Sequence, residues 1–345
     1  MGAHVLVARV DNDGDVLLAG PAVRAVAAGA GRVTLLCGPR GRQAAALLPG
    51  VDDVLVRGAE WIDPEPQPVE RAAIDAFVDA LAALQLDAAV VLGSFHQSPL
   101  PLALLLRMAG VGRIGATSVD FPGSLLDVRH RIGDDVHEVE RGLDLAAAMG
   151  FALPPADDGG LTVCRPGDPP PLAPGYVVVH PGASVPARAW APERHAALAA
   201  ALADSGRAVV VTGSPAERAL TAAVAGDRAL DLGGATTLGG LADVLAGAGC
   251  VVVGNTGPAH LAAAVGTPVV SLFAPTVPPV RWRPWRVEHE LLFVDVPCAG
   301  CRARTCPVAG HPCLSGVEVE EVLAAVERLA PAAAGTATRS VVVKA

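Results

Sequence analysis

Short apolar runs alternate with helical-period segments along almost the whole chain. Residues 4–8 (HVLVA), 33–37, 54–56, 88–92 and 113–115 have the length and apolar content of buried strands. Between them, Asp15 opens a helix whose apolar positions Val16, Ala19, Val23 and Val26 recur at helical spacing. Further helices are predicted over 74–84 and 102–108. Residues 9–14 (RVDNDG) form a polar turn, and residues 61–68, rich in proline and acid, form a loop. The pattern breaks at residues 153–175, where Pro-Pro, Asp-Asp and Gly-Gly pairs mark a linker. It then restarts. Strands are expected at 176–180, 208–212, 230–232, 251–253 and 269–273, with helices at 192–203, 217–224, 238–247, 260–265 and 317–329. Strand-helix alternation of this kind builds parallel sheets covered on both faces. The architecture implied is α/β, with two doubly wound Rossmann-like halves facing across a cleft: an N-terminal domain over 1–168 and a C-terminal domain over 174–330. Residues 331–345, mostly small, are expected to be a flexible tail.

Residues 251–275 (VVVGNTGPAHLAAAVGTPVVSLFAP) are the most informative stretch. An apolar strand turns through Gly254-Asn255-Thr256-Gly257, and Pro258 sits where a helix tolerates proline. Gly266 and Thr267-Pro268 stop that helix before the next strand. Such a turn aims free backbone N–H groups and a helix N-terminus outward, a ready site for phosphate. An ordinary crossover with no ligand has the same spacing.

Composition narrows the function. The chain has 345 residues, enough for two domains, and a formal charge of −9, which argues against a nucleic-acid partner. No apolar stretch is long enough to span a bilayer; residues 100–106 come nearest. No basic, apolar-cored leader follows Met1, so a cytoplasmic location is expected. Seven cysteines without a leader read as reduced thiols or metal ligands rather than a disulfide framework.

Three stretches in order resemble glycosyltransferase family 9, which includes the ADP-heptose:lipopolysaccharide heptosyltransferases of GT-B fold. They are residues 9–24 (RVDNDGDVLLAGPAVR), 180–198 (HPGASVPARAWAPERHAAL) and 254–275. A fourth, residues 298–313, resembles a cysteine-bearing segment of some members. The resemblance implies an inverting, metal-independent transfer of a heptose-type sugar from ADP-heptose to a hydroxyl. The acceptor would be a lipopolysaccharide core, another glycan or glycolipid, or a small molecule, with no bound cofactor required. It implies Asp15 as general base; without it, Asp15 is a first-turn acid worth up to about 1 kcal/mol through the helix dipole. Ser184, Arg188, Asn255, Thr256, Gly257 and His260 would hold the donor diphosphate, with Glu217 on ribose hydroxyls. In ordinary roles Ser184 is a cap, Arg188 a solvated charge, His260 a polar filler and Glu217 a first-turn acid. Asp13, within the turn-forming Asp11-Asn12-Asp13, is the candidate acceptor contact. Many family members carry Asp where this chain has Asn255. Asn keeps an acceptor oxygen but loses the charge, which leaves the identity of the transferred sugar open.

Cys298, Cys301, Cys306 and Cys313, with His311 nearby, can form either a structural zinc site or a reduced, metal-free loop. Cys37, Cys164 and Cys250 read as small core fillers. Trp282 and Trp285 either pack on a nucleobase or close the core. Nothing anchors the chain in a membrane, although peripheral membrane proximity is compatible with a lipid-linked acceptor. Two alternatives fit the same layout: a nucleotide-sugar epimerase of GT-B architecture, and a non-catalytic nucleotide or sugar-phosphate-binding protein.

Overall fold

A computed structural model describes residues 2–63, 65–94 and 97–331. The predicted tail beyond Pro331 lies outside the described residues. The first half runs β1 (His4–Arg9), α1 (Asp13–Gly29), β2 (Arg32–Cys37), α2 (Arg42–Ala45), β3 (Asp53–Val56), α3 (Arg71–Ala83), β4 (Ala88–Val91), α4 (Leu100–Met108), β5 (Arg113–Thr117), β6 (Val128–His130) and α5 (Glu138–Ala148). The second half runs β7 (Tyr176–His180), α6 (Pro192–Asp204), β8 (Val209–Val211), α7 (Arg218–Ala225), β9 (Leu230–Asp231), α8 (Leu238–Ala246), β10 (Ala248–Gly254) and α9 (Gly257–Ala264). It ends with β11 (Val269–Leu272), α10 (Pro279–Trp282), β12 (His289–Leu292), α11 (Pro312–Ser315) and α12 (Val319–Leu329).

Each half carries one six-stranded sheet, in the orders β3-β2-β1-β4-β5-β6 and β12-β11-β10-β7-β8-β9. Every recorded pairing is parallel. The central strands are buried along their whole length, β7 (YVVVH) and β4 (AAVV) among them, as expected of a parallel sheet covered on both faces. The strand order reverses between β1 and β4 in the first sheet and between β7 and β10 in the second. Ligands of open α/β sheets bind where the order reverses, beyond the carboxyl ends of the strands.

Three apolar clusters hold the molecule together. One lies on the outer side of each sheet. The third is shared: Val5, Val16 and Leu145 of the first half join Val178, Leu245 and Leu261 of the second. Helices α1 and α9 lie against each other in this joint, and glycine permits the approach. A Cβ on Gly14 would come within 3.0 Å of the Gly257 Cα and 3.3 Å of the His260 ring. Trp285 closes the same joint. It is buried, stacks on His137 with ring centroids 4.4 Å apart, and donates to the Gly159 carbonyl at 2.8 Å.

Several elements depart from the sequence pattern. Helix α5 and strands β6 and β12 have no counterpart in the predicted set. Helix α1 begins at Asp13 rather than Asp15. Cys37 and Cys250 are core residues, but Cys164 is exposed and fills no core.

Candidate functional site

The loops after β1, β4, β7 and β10 converge on one cavity of about 400 Å³ between the two halves. From the first half come Asp11, Asn12, Gly14, Asp15, Ser94 and Gln97. From the second come Ser184, Arg188, Asn255, Thr256, Gly257 and His260. These are the loops that the two strand-order reversals select. Asp15 and Thr256 therefore share a crevice although 241 positions separate them in sequence.

On the second side, β10 ends in Gly254 and α9 opens at Gly257, with Pro258 in its first turn. The Thr256 N–H is taken by the Gly254 carbonyl at 2.8 Å, while Gly257, the first residue of α9, lines the cavity, so the helix N-terminus faces it. Three buried polar atoms beside it, Asn255 Oδ1, Thr256 Oγ1 and His260 Nδ1, have no hydrogen-bond partner among the described residues. Buried polar atoms are nearly always paired in native proteins. Three together at a helix N-terminus that faces a cavity mark a place built for a polar ligand. Arg188 reaches the same place. Its Nε donates to Thr276 Oγ1 at 3.3 Å and its Nη1 to the Asn255 carbonyl at 3.5 Å. Both partners are neutral, so they leave the guanidinium charge uncompensated. Burial lowers the Arg188 pKa; the Asp15 charge across the cavity works against that, and Arg304 adds to it. His260 is lowered to about 4, first by burial, so it is neutral near pH 7.

On the first side, Asp15 sits in the first turn of α1. Arg9 Nη2 donates to its Oδ1 at 2.9 Å, and among the described residues no side chain is bonded to its Oδ2. Asp11 also lines the cavity and accepts from Gln97 Nε2. Burial raises the Asp11 pKa, with Arg9 opposing.

Two predicted contacts lie elsewhere. Asp13 does not line the cavity; it accepts from the Ala44 backbone N–H at 2.9 Å and pins α2. Two helical positions rotate a side chain by about 200°, so Asp13 and Asp15 face opposite ways. Asp11 and Asn12 occupy the rim in its place. Glu217 is also absent from the lining. It accepts from the Ser214 N–H at 2.7 Å and stands against Gly182, where a Cβ would collide with its Oε1.

The cysteine segment has a different part. Cys298, Cys301, Cys306, Cys313 and His311 line one small cavity. Among the described residues no three His, Cys, Asp or Glu groups come together as a metal ion would require. The segment's course is set by the cleft instead. Gly300 and Arg302 donate to the Pro275 and Thr276 carbonyls, and Ala187 donates to the Arg304 carbonyl. These bonds place Arg302 and Arg304 on the cavity wall. Neither arginine, nor Arg40 or Gln97 on the other side, is marked by a motif. The strand-order reversal at β4 would have pointed to the Gln97 loop. Trp282 lines the cavity, whereas Trp285 does not.

The family model "Glycosyltransferase family 9 (heptosyltransferase)" matches residues 76–311. Lipopolysaccharide heptosyltransferase 1 of Pseudomonas aeruginosa is 37% identical over 178 residues, 49% of this chain and 48% of that protein. The chain thus spans about half the length of the curated relatives it matches. Among solved structures, a family 9 glycosyl transferase of Veillonella parvula aligns at a TM-score of 0.74 with 17% identity, covering 95% of this chain and 97% of that one. The Escherichia coli heptosyltransferase WaaC with ADP-2-deoxy-2-fluoro heptose aligns at 0.73 with 24% identity, covering 94% and 99%. At these identities the two structures show the shared GT-B fold.

Proposed function

The chain belongs to glycosyltransferase family 9, and from that premise we propose that it transfers a heptose-type sugar from an ADP-sugar to a hydroxyl of a lipopolysaccharide-core-like acceptor. One observation carries this: Asp15 faces Arg188 and the unpartnered atoms of Asn255, Thr256 and His260 across a single cavity. The names of the matched relatives supply the sugar and the acceptor class.

The diphosphate lies against the N-terminus of α9 and Arg188. Thr256 Oγ1 and the neutral His260 imidazole complete its hydrogen bonds. The acceptor enters from the first half. Asp15 Oδ2 takes the hydroxyl proton as the acceptor oxygen bonds to the anomeric carbon from the face opposite the leaving group. The bond to the diphosphate breaks, and its electron pair leaves with ADP, so the configuration inverts. Backbone N–H groups, a helix dipole and a guanidinium placed where charge develops stabilise that leaving group. They do so where a divalent cation would otherwise stand, and the carboxylates in reach, Asp11 and Asp15, are both engaged by Arg9. We therefore assign a metal-independent transfer. A soluble nucleotide sugar as donor places the reaction in the cytoplasm, at the membrane face when the acceptor is lipid-linked. No helix among the described residues is long and apolar enough to cross a membrane.

The test uses ADP release from ADP-heptose with deacylated lipopolysaccharide core. Asp15→Ala should lower turnover by roughly 100-fold or more, the span of general base catalysis, with ADP affinity within about twofold of wild type. Turnover retained by Asp15→Ala would remove Asp15 as base. Absence of ADP binding in the wild type would remove the donor assignment.

A further inference from the structure

Behind the cavity runs a chain of buried charge that the transfer itself does not use. Arg9, the last residue of β1, is 4% exposed. Its Nη2 donates to Asp15 Oδ1 and to Ser94 Oγ, each at 2.9 Å. Its Nε lies 2.9 Å from Asp11 Oδ2, but neither atom forms an aligned hydrogen bond. Its Nη1 faces Glu138 Oε2 at 3.5 Å. Glu138 opens α5, and its other oxygen, Oε1, accepts at 3.3 Å from Nη1 of Arg281 on α10. Arg281, 1% exposed, also donates from Nη2 to Asp134 Oδ1 at 2.9 Å. Glu138 is thus held between two guanidinium groups, one from each half of the molecule. The residue after Arg281 is Trp282, on the cavity wall.

Buried ion pairs add little net stability, because removing the charges from water costs about as much as their attraction returns. A chain of them across the joint between two halves is better explained by the geometry it enforces. The Arg9 contact to Glu138 is the long one, and a cavity of about 10 Å³ lined by Arg9, Glu138 and Arg141 lies beside it. A void of that size holds at most about one water, so the Arg9–Glu138 contact can shorten by a small shift without displacing packed side chains. While Arg281 neutralises Glu138, Arg9 stays on Asp15. If the halves part, Glu138 loses Arg281, its charge falls on Arg9, and the fork is drawn off Asp15.

We propose that Arg9, Glu138 and Arg281 form a positioning relay that aligns Asp15 only when α10 is seated on the first half, so that cleft closure sets the base. This rests on Asp15 being the base. The charged groups facing Asp15 are Arg9 on β1, Asp11 in the following loop, Arg188 after β7 and the neutral His260 on α9. Those facing the Glu138–Arg281 pair include Arg9, Arg141 and Asp134.

The test is a double-variant cycle on the full chain, read as kcat, donor KM, ADP affinity and the acid limb of the pH–rate profile. R281M should lower kcat at least tenfold and leave ADP affinity within twofold. It should also displace the acid limb of the pH–rate profile, which loss of packing alone would not do. Adding E138Q removes the stray anion, so E138Q/R281M should recover most of the lost kcat. Wild-type kcat and pH profile in R281M would overturn the relay. So would a double variant as slow as R281M, which is what a merely structural role predicts. If R281M does not fold, R281K reports the same shifts in smaller measure, since an ammonium cannot bridge Glu138 and Asp134 as the fork does; a wild-type profile there also overturns the relay. D15N separates the two failures: full turnover in D15N ends the role of Asp15, whereas an inactive D15N beside an unaltered R281M ends the relay alone.

Discussion

Asn255 shows how much one side chain decides at this site. It is 6% exposed, its Nδ2 donates to the Ala274 carbonyl at 3.2 Å, and its Oδ1 is left toward the cavity. The amide thus fixes its own orientation through a donor that a carboxylate lacks. Asn255→Asp puts a buried anion against a carbonyl and beside the proposed diphosphate site. It should cost about 1–3 kcal/mol of stability and weaken ADP binding at least tenfold; denaturant titration and calorimetry measure the two. Unchanged ADP affinity would show that Oδ1 faces away from the phosphates. At this scale the sequence was informative wherever the backbone dictates direction. Thr256, Gly257 and Asn255 follow a strand end directly, so their placement was legible. Asp13 was not, because the helix starts two residues before Asp15 and its phase sends that carboxylate to Ala44.

The elements that escaped the sequence pattern each lack an ordinary signal. Helix α5 (EVERGLDLAAA) interleaves charged and apolar residues and is capped by a histidine rather than Ser, Thr, Asp or Asn. His137 Nδ1 accepts from the Val139 N–H, and Glu140 returns a bond to the His137 N–H. This is a capping box with an unusual first member. Strand β12 (HELL) starts on polar residues at a sheet edge, and β6 has three residues. Helix α5 matters most, because it carries Glu138. The α1–α9 contact is the second element-level device. Its closeness depends on Gly14, whose added Cβ would press on the Gly257 backbone at 3.0 Å. Backbone cannot yield as a flexible side chain does. Gly14→Ala should therefore separate the two helix N-termini, destabilising the fold by about 1–3 kcal/mol, the usual range for overpacking. It should lower kcat more than it raises donor KM, since the donor contacts all lie on one side. A kcat/KM loss due only to KM would argue against this.

For the whole molecule, the two halves and the cleft between them were legible, because strand-helix alternation and a composition break fall within local windows. How the halves meet was not. Arg9 to Glu138 spans 129 positions and Glu138 to Arg281 spans 143, and no periodicity reaches so far. The joint also predicts how the fold responds to acid. His137 and His260 lie in it, while His180 and His195 lie inside the second half, and burial is the first cause lowering all four. Folded, His137, His180 and His260 protonate near pH 4 and His195 near pH 3. Unfolded, a histidine protonates near 6.5. Above that pH both states are neutral and the histidines contribute no pH dependence. Below it the unfolded chain binds protons that the folded protein refuses, so stability falls as pH drops from about 6.5 towards 4. The limiting slope is about 1.4 kcal/mol per pH unit for each histidine. Urea unfolding at pH 7, 6 and 5 should show this decline. His137→Asn should flatten it by up to one histidine's share while also lowering stability at pH 7, where the variant loses the ring's bond to the Arg283 carbonyl and its stacking on Trp285. An unchanged slope in that variant would mean that the His137 ring is already protonated in the folded protein, and that the joint is held by a charge rather than by a neutral, buried imidazole.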